Sequence, residues 1–270
     1  MLDEKDSSAV PHLDLHTHIL PGVDDGPEST EHSVELIAKS IRQGAVGIAA
    51  TPHRSPWDYH ESLSKMESRL GHLRRACSDA GLDVELYVGG ETFLVPELLK
   101  PHETADIVTL NRSRYLLFEL PFNYYPPFVE EIVFELQLRG YKPVLAHAER
   151  YTHYHQDVNQ IIKLVERGVL AQINAGSLAG HHGSAERMTA EIMLEHRMAH
   201  LVASDSHSVD ARPPAVAGSY DRLVELVGNQ AADNLVMGVP RMIVRDEDVP
   251  QVEPIAYQRR HFWQMWKVQA

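Results

Sequence analysis

The chain has 270 residues, 43% hydrophobic and 23% charged, with 17 histidines, one cysteine and a formal net charge of −13. A lone cysteine excludes an internal disulfide framework and a thiolate zinc cluster, and the composition excludes a disordered chain. The acidic balance argues against nucleic acid or anionic lipid as a partner, and an acidic N-terminus with no apolar run of spanning length predicts a cytoplasmic protein without a membrane span.

In chain order, Leu13–Leu15 reads as the end of a strand. A helix is predicted from Thr30 to Gln43, with Val34, Ile37, Ala38 and Ile41 at helical spacing before Gly44. Val46–Thr51 is the next strand. Leu63, Met66, Leu70, Leu73 and Cys77 then recur at three and four residues until Gly81, the pattern of an amphipathic helix that puts Cys77 in the core. Strands follow at Val84–Val88, Tyr115–Glu119, Pro143–Ala146, Leu170–Ile173 and His200–Ala203, with helices at Val129–Leu138, Val158–Arg167 and Ala185–His196. Repeated strand-then-helix units imply a parallel sheet with right-handed crossovers. About seven such units predict an α/β single domain, a closed or nearly closed (β/α) barrel, with an open doubly wound sheet as the alternative. Beyond Val244 the chain changes character, ending in Arg259, Arg260, Phe262, Trp263, Trp266 and Lys267. That tail is expected to pack back on the domain or between subunits, with lipid or kinase docking as the other use.

The densest chemistry opens the chain, where Asp14, His16 and His18 precede Asp24-Asp25-Gly26. Residues i and i+2 of a strand face one side, so His16 and His18 can offer two nitrogens to one metal ion. An H-x-H pair alone is weak; His153 and His155 form another, read as a solvated loop pair. What strengthens the first pair is recurrence. His53 ends the second strand segment, Glu91 follows the third, Glu119 closes YLLFE, His147 closes PVLAH, and Asp205 and His207 follow HLVAS. In a (β/α) barrel these strand ends meet on the rim where active sites are built. The remaining histidines, among them His12, His182 and His200, are read as surface or satisfied core residues.

The ordered motifs DLHTHILPGVDDG, TPH, GGE, LLFELPF, AHAERY, QINAGSL and ASDSH…ARPP resemble the polymerase-and-histidinol-phosphatase (PHP) superfamily, and within it the bacterial tyrosine-protein phosphatases that act on the tyrosine autokinases of capsule and exopolysaccharide export. The resemblance implies a distorted barrel over residues 13–244, an N-terminal extension (1–12) and a C-terminal tail (245–270). It implies three divalent ions, manganese first with iron or zinc as alternatives: one held by His16, His18, Glu91 and Asp205, a second by Glu91 as a bridge with Glu119 and His147, a third by Asp25, His53 and His207. Four carboxylates against three dications leave a net charge of about +2, suited to a phosphate dianion. Arg54, Arg150 and Arg212 follow ligand positions and are expected to bind phosphate oxygens.

The implied reaction is metal-assisted hydrolysis of a phosphotyrosine borne by a protein such as a tyrosine autokinase. A cysteine nucleophile six residues before an arginine is excluded, because Asp83 stands six residues after Cys77. The general acid is unassigned, Asp24 being one candidate, and the oligomeric state is open. Histidinol-phosphate phosphatase and a polymerase-type exonuclease are the rivals within the superfamily. A catalytically silent metal-binding regulator of a kinase is the rival from another class.

Overall fold

Residues 9–55, 57, 61–100 and 107–258 are described in the computed structural model. Among them nine strands run β1 (His12–Thr17), β2 (Ala45–Ala50), β3 (His53–Arg54), β4 (Glu85–Val88), β5 (Glu91–Phe93), β6 (Tyr115–Glu119), β7 (Lys142–Leu145), β8 (Leu170–Asn174) and β9 (Leu201–Ala203). The connections carry α1 (Thr30–Arg42), α2 (Leu63–Asp79), α3 (Val129–Leu138), α4 (Thr152–Gln156), α5 (Ile162–Glu166), α6 (Ala175–Leu178), α7 (Ser184–Glu195), α8 (Val216–Val227), α9 (Asn229–Asp233) and α10 (Val239–Val244). The strands form a three-stranded sheet, β1-β2-β4, and a six-stranded sheet, β3-β5-β6-β7-β8-β9. Every ladder is parallel.

Nine strands stand where about seven were expected, because the strands predicted at Val46–Thr51 and Val84–Val88 are each followed, after a short break, by a further strand that was not predicted, β3 and β5. Pro52 has no N–H to donate, and it separates β2 from β3; Gly89-Gly90 separates β4 from β5. The paths continue across both breaks, since the Gly89 N–H donates to the Ala50 carbonyl (2.9 Å) and the Glu91 N–H to the Pro52 carbonyl (3.0 Å). The far edges also meet: Thr17 bridges Ser206, the His18 N–H donates to the Ser206 carbonyl (2.9 Å), and the Asp205 N–H donates to the His16 carbonyl (2.8 Å).

Local sequence explains the helices that flank the first strands. Ser29 caps α1 by accepting the His32 N–H, Glu31 lies in its first turn and Lys39 and Arg42 in its last, matching the helix dipole. Leu36 and Ile37 of α1 and Met66, Leu70, Leu73 and Cys77 of α2 are buried in one cluster with Ile48 of β2 and Leu86 and Val88 of β4. A larger cluster joins β6–β9 to α3, α7 and α8, and a third fills the early part of the strands with Leu13, Leu15, Tyr115, Leu117, Val144, Leu170 and Leu201. Apolar packing thus occupies the strand beginnings and leaves the strand ends for polar groups. The helix predicted over Val158–Arg167 is a 3₁₀ turn, Val158–Ile161, followed by α5, because the Asp157 side chain accepts the Asn159 N–H and tightens the first turn.

His153 and His155 are not a solvated loop pair. Both lie on α4, where His153 is buried against the rings of Tyr151 and Tyr154 and His155 Nε2 meets the Glu149 carbonyl at 2.7 Å. Burial pushes the His153 pKa down to about 4. Past α10 the chain runs back over the fold: Arg114 pairs with Asp246 and Asp248, and Tyr257 exchanges two hydrogen bonds with Asn159. The basic-aromatic positions Arg259, Arg260, Phe262, Trp263, Trp266 and Lys267 lie outside the described residues, as do positions 1–8. No helix among the described residues is long and apolar enough to cross a membrane.

Candidate metal centre

Strand ends deliver the polar groups. His16 lies within β1 and His18 just beyond it; His53 starts β3, Glu91 starts β5, Glu119 ends β6, His147 follows β7, and Asp205 and His207 follow β9. The Asp24-Asp25-Gly26 turn folds over His18, and only glycine fits at position 26, where a Cβ would fall 2.2 Å from the His18 carbonyl oxygen. His147 (φ 34°) and Asp205 (φ 55°) adopt left-handed backbone, a conformation costing about 1 kcal/mol or more for a non-glycine residue and concentrated at functional sites.

The structure brings all nine expected ligand positions to one place. Their donor atoms fall into three close groups: His16, His18 and Glu91; His18, Asp25, His53 and His207; and His53, Glu91 and Glu119, the atoms of each group lying within 4.8 Å of one another. Asp205 joins the first through Oδ1, 3.6 Å from His16 Nε2 and 3.5 Å from His18 Nε2. His147 Nε2 reaches Glu91 Oε1 at 2.7 Å. His53, rather than His147, is grouped with Glu119, its Nδ1 lying 3.0 Å from Glu119 Oε1. The group of His16, His18 and Glu91 is wholly buried, His53 and Glu119 are partly exposed, and the Asp25 side chain, 49% exposed, marks the open side.

Hydrogen bonds fix which nitrogen faces inward in three of the imidazoles. His18 Nδ1–H donates to Asp24 Oδ2 (2.6 Å), His16 Nδ1–H to Gln172 Oε1 (3.0 Å) and His207 Nδ1–H to the Asp205 carbonyl (3.0 Å). Each bond leaves an Nε2 lone pair turned inward, the arrangement that orients metal-bound histidines. His16 and His18 Nε2 stand 3.3 Å apart, and His207 Nε2 and Glu91 Oε2 are buried without a hydrogen-bond partner although opposing atoms lie 3.0 Å away. Lone pairs that converge on a shared point instead of on each other fit a cation.

Electrostatics agree. Burial alone would lower the pKa of His53, but the carboxylates of Glu119 and Glu91 outweigh it and push the ring up to about 10; His18 is raised well above its ordinary value against burial by Asp205, Asp24 and Glu91. Burial would raise Glu91 and Asp205, yet neighbouring His16 holds both well below the usual carboxylate range, helped by His147 at Glu91 and by His18 at Asp205. The carboxylate excess draws positive charge to the inward nitrogens, which take a proton or a metal ion through the same lone pair.

Arg150 and Arg212 converge on Asp205: Arg212 Nη2 donates to Oδ1 (2.9 Å) and Arg150 Nη1 to Oδ2 (3.3 Å), while Arg212 Nη1 reaches Asp25 Oδ2 at 3.4 Å. Arg54 is buried, and its Nη1 donates to the Glu61 carbonyl and contacts the Met66 sulfur, toward α2.

Sequence reasoning named Asp24 only as a candidate general acid and missed Gln172, Asn174 and Glu149. Asp24, whose side chain is buried, accepts from His18, from the His53 N–H (2.9 Å) and from the Gly26 N–H (3.0 Å), which makes it a support for the ligands. On β8, Gln172 Oε1 accepts from His16 and from the His147 N–H (2.8 Å), Gln172 Nε2 donates to Asn174 Oδ1 (2.8 Å), and Asn174 Nδ2 donates to Asp205 Oδ2 (2.8 Å). The i, i+2 spacing of Gln and Asn in QINAGSL was the available signal. Glu149 is buried behind them, accepting from the Ser177 hydroxyl (2.5 Å) and the Asn174 N–H (3.1 Å), and burial pushes it up to about 7.

Comparison with known proteins places this geometry. The sequence pattern of the family described as capsular polysaccharide synthesis, CpsB/CapC, matches residues 12–245. The tyrosine-protein phosphatase CpsB of Streptococcus pneumoniae is 31% identical over 240 residues, 87% of this chain and 99% of that protein. The tyrosine-protein phosphatase YwqE of Bacillus subtilis is 32% identical over 200 residues, 74% of this chain and 79% of that one. A crystal structure from work on YwqE and CpsB, described as unique metal-dependent tyrosine phosphatases, superposes with a TM-score of 0.87 at 29% identity, covering 92% of this chain and all (100%) of that one. The chain belongs to the CpsB/CapC family of capsular polysaccharide synthesis proteins.

Proposed function

We propose that the chain is a metal-dependent protein-tyrosine phosphatase of capsular or exopolysaccharide synthesis, with a tyrosine autokinase as its substrate. The observation that carries this reading is the convergence of inward imidazole and carboxylate lone pairs beneath two guanidinium groups that meet at one carboxylate. His16, His18, Glu91 and Asp205 would hold one divalent ion, Glu91, Glu119 and His147 a second, and Asp25, His53 and His207 a third. His53 is also placed to serve the second position beside Glu119. The mixed nitrogen and oxygen set suits manganese, with iron or zinc as alternatives. When bound, such ions supply Lewis-acid charge to phosphoryl oxygens and acidify water near them.

The chain's own residues account for the remaining requirements. Arg150 and Arg212 bind the phosphate oxygens, aligned by their shared grip on Asp205, and offset charge as the phosphorus–oxygen bond to the phenol breaks. The Asp24, Gln172 and Asn174 bonds hold the ligand side chains in register, so little reorganisation accompanies reaction. Water is the nucleophile. Cys77, buried on α2 with its thiol pKa raised by that burial, is remote in role from any cysteinyl-phosphate route.

We further read the nine strands as seven staves of a distorted (β/α) barrel, β2 with β3 and β4 with β5 counting once each, with the phosphatase domain at 13–244 and a cytoplasmic location. The test is turnover of a phosphotyrosine peptide against histidinol phosphate, with and without chelator. Preferential, chelator-sensitive turnover of the peptide supports the assignment. Preference for histidinol phosphate overturns it, and lack of turnover with either substrate favours a non-catalytic kinase regulator.

A further inference from the structure

Three residues past Glu119, Phe122 presents an aromatic ring at the open side of the centre. It is 38% exposed, a large apolar side chain left in water at the rim. Its ring lies 4.7 Å from the guanidinium carbon of Arg150, 5.3 Å from the His147 ring and 5.7 Å from the Tyr151 ring. The loop that carries it is stapled in place: the Phe122 carbonyl accepts from the Thr152 N–H (2.9 Å) and the Thr152 hydroxyl (3.1 Å), and the Leu120 N–H donates to the buried Tyr151 hydroxyl (3.0 Å). An exposed ring on a backbone anchored at both ends is organised before any ligand arrives, which lowers the entropy cost of binding against it.

We propose that Phe122 is the platform on which the substrate's aromatic ring packs, making the site prefer aryl over alkyl phosphomonoesters; this rests on the phosphatase reading above. In a phosphotyrosine a single bridging oxygen separates phosphorus from the ring. With the phosphate on Arg150, that ring comes within the range of about 4.5–7 Å at which aromatic pairs attract. An alkyl phosphate puts narrower, flexible methylenes there and gains less. Trp57 and Tyr124 are exposed as well, but the ring partner of Trp57 is Phe93, and of these three rings Phe122 is the one that packs against the Arg150 guanidinium among the described residues.

The test compares binding with and without a ring, using the metal-loaded full chain and its Phe122→Ala, Phe122→Leu and Phe122→Tyr variants, each checked for unchanged melting temperature and metal content. Affinities for phenylphosphonate and inorganic phosphate are measured by calorimetry, and kcat and KM on a phosphotyrosine peptide. Ala and Leu are expected to weaken phenylphosphonate and to raise KM by about tenfold while leaving inorganic phosphate within twofold, and Tyr to restore both. Equal losses for phosphate and phenylphosphonate would overturn the proposal, since Phe122 would then only support Arg150 and His147; so would no loss for either. Failure of the unaltered chain to hydrolyse the peptide would instead overturn the phosphatase reading, and the ring-dependent binding comparison keeps the two failures apart.

Discussion

Replacing Asp24 with Asn keeps the shape of the side chain and removes the charge on which His18 leans. Asp24 Oδ2 accepts two hydrogens, from His18 Nδ1 at 2.6 Å and from the His53 N–H at 2.9 Å, while Oδ1 accepts the Gly26 N–H at 3.0 Å. An amide has one oxygen for these three donors, so its NH₂ must face either Gly26 or the two histidine donors. Burial raises the Asp24 pKa, but the His18 bond and charge outweigh it and hold the carboxyl below its ordinary range, so the loss falls on an ionised partner. Removing a support of this kind costs about 10–100-fold in metal affinity, roughly 1.4–2.7 kcal/mol. The assay titrates metal-stripped protein with manganese in a chelator buffer while following phosphotyrosine turnover. The D24N curve should move to 10–100-fold higher free metal with most of the maximal rate recovered. An unmoved curve would refute the supporting role, and an unmoved curve with a collapsed plateau would place Asp24 in the chemistry as a proton donor.

The two rim arginines need their planar forks, so Arg150→Lys and Arg212→Lys should each lower kcat/KM about 100-fold despite keeping the charge, and a loss under about threefold would contradict phosphate binding. Arg54→Ala should behave differently, losing about 1.5–3 kcal/mol of stability in a urea titration through its buried bond to the Glu61 carbonyl; a rate defect as large as that of R150K with stability unchanged would return Arg54 to the site. His200 is buried with Nδ1 accepting the Ala171 N–H, and burial pushes its pKa down to about 4. The unfolded chain takes up that proton near pH 6.5 and the folded chain only near 4, so stability falls with pH across this window by about 3 kcal/mol. His200→Asn keeps an acceptor that does not titrate and should flatten that slope; an unchanged slope would contradict the assignment.

What was legible in the sequence was periodic or terminal. Alternation on β1 put His16 and His18 on one side, and the strand-end positions of Glu119, His147 and Asp205 were readable because apolar runs stop there. Helix spacing placed Cys77 in the core, where it is buried. The groups that orient the ligands were harder to see, because their roles depend on partners far away in the chain: Gln172 is 156 residues from His16, and Asn174 is 31 from Asp205. Spacing cannot report which way a side chain finally turns: Arg54 is next to His53 in sequence, yet its Nη1 donates to the Glu61 carbonyl and contacts the Met66 sulfur on α2. His153 was misread for the same reason, since its burial comes from Tyr151 and Tyr154 folding α4 onto the core.

The central claim is that this arrangement works through bound metal, and metal content measured alongside turnover tests it most directly. Protein stripped by chelator should be inactive on a phosphotyrosine peptide and recover in step with added manganese, reaching its plateau as the positions around Glu91, Asp205 and Asp25 fill. Full turnover by metal-free protein, surviving His147→Ala as well, would contradict it.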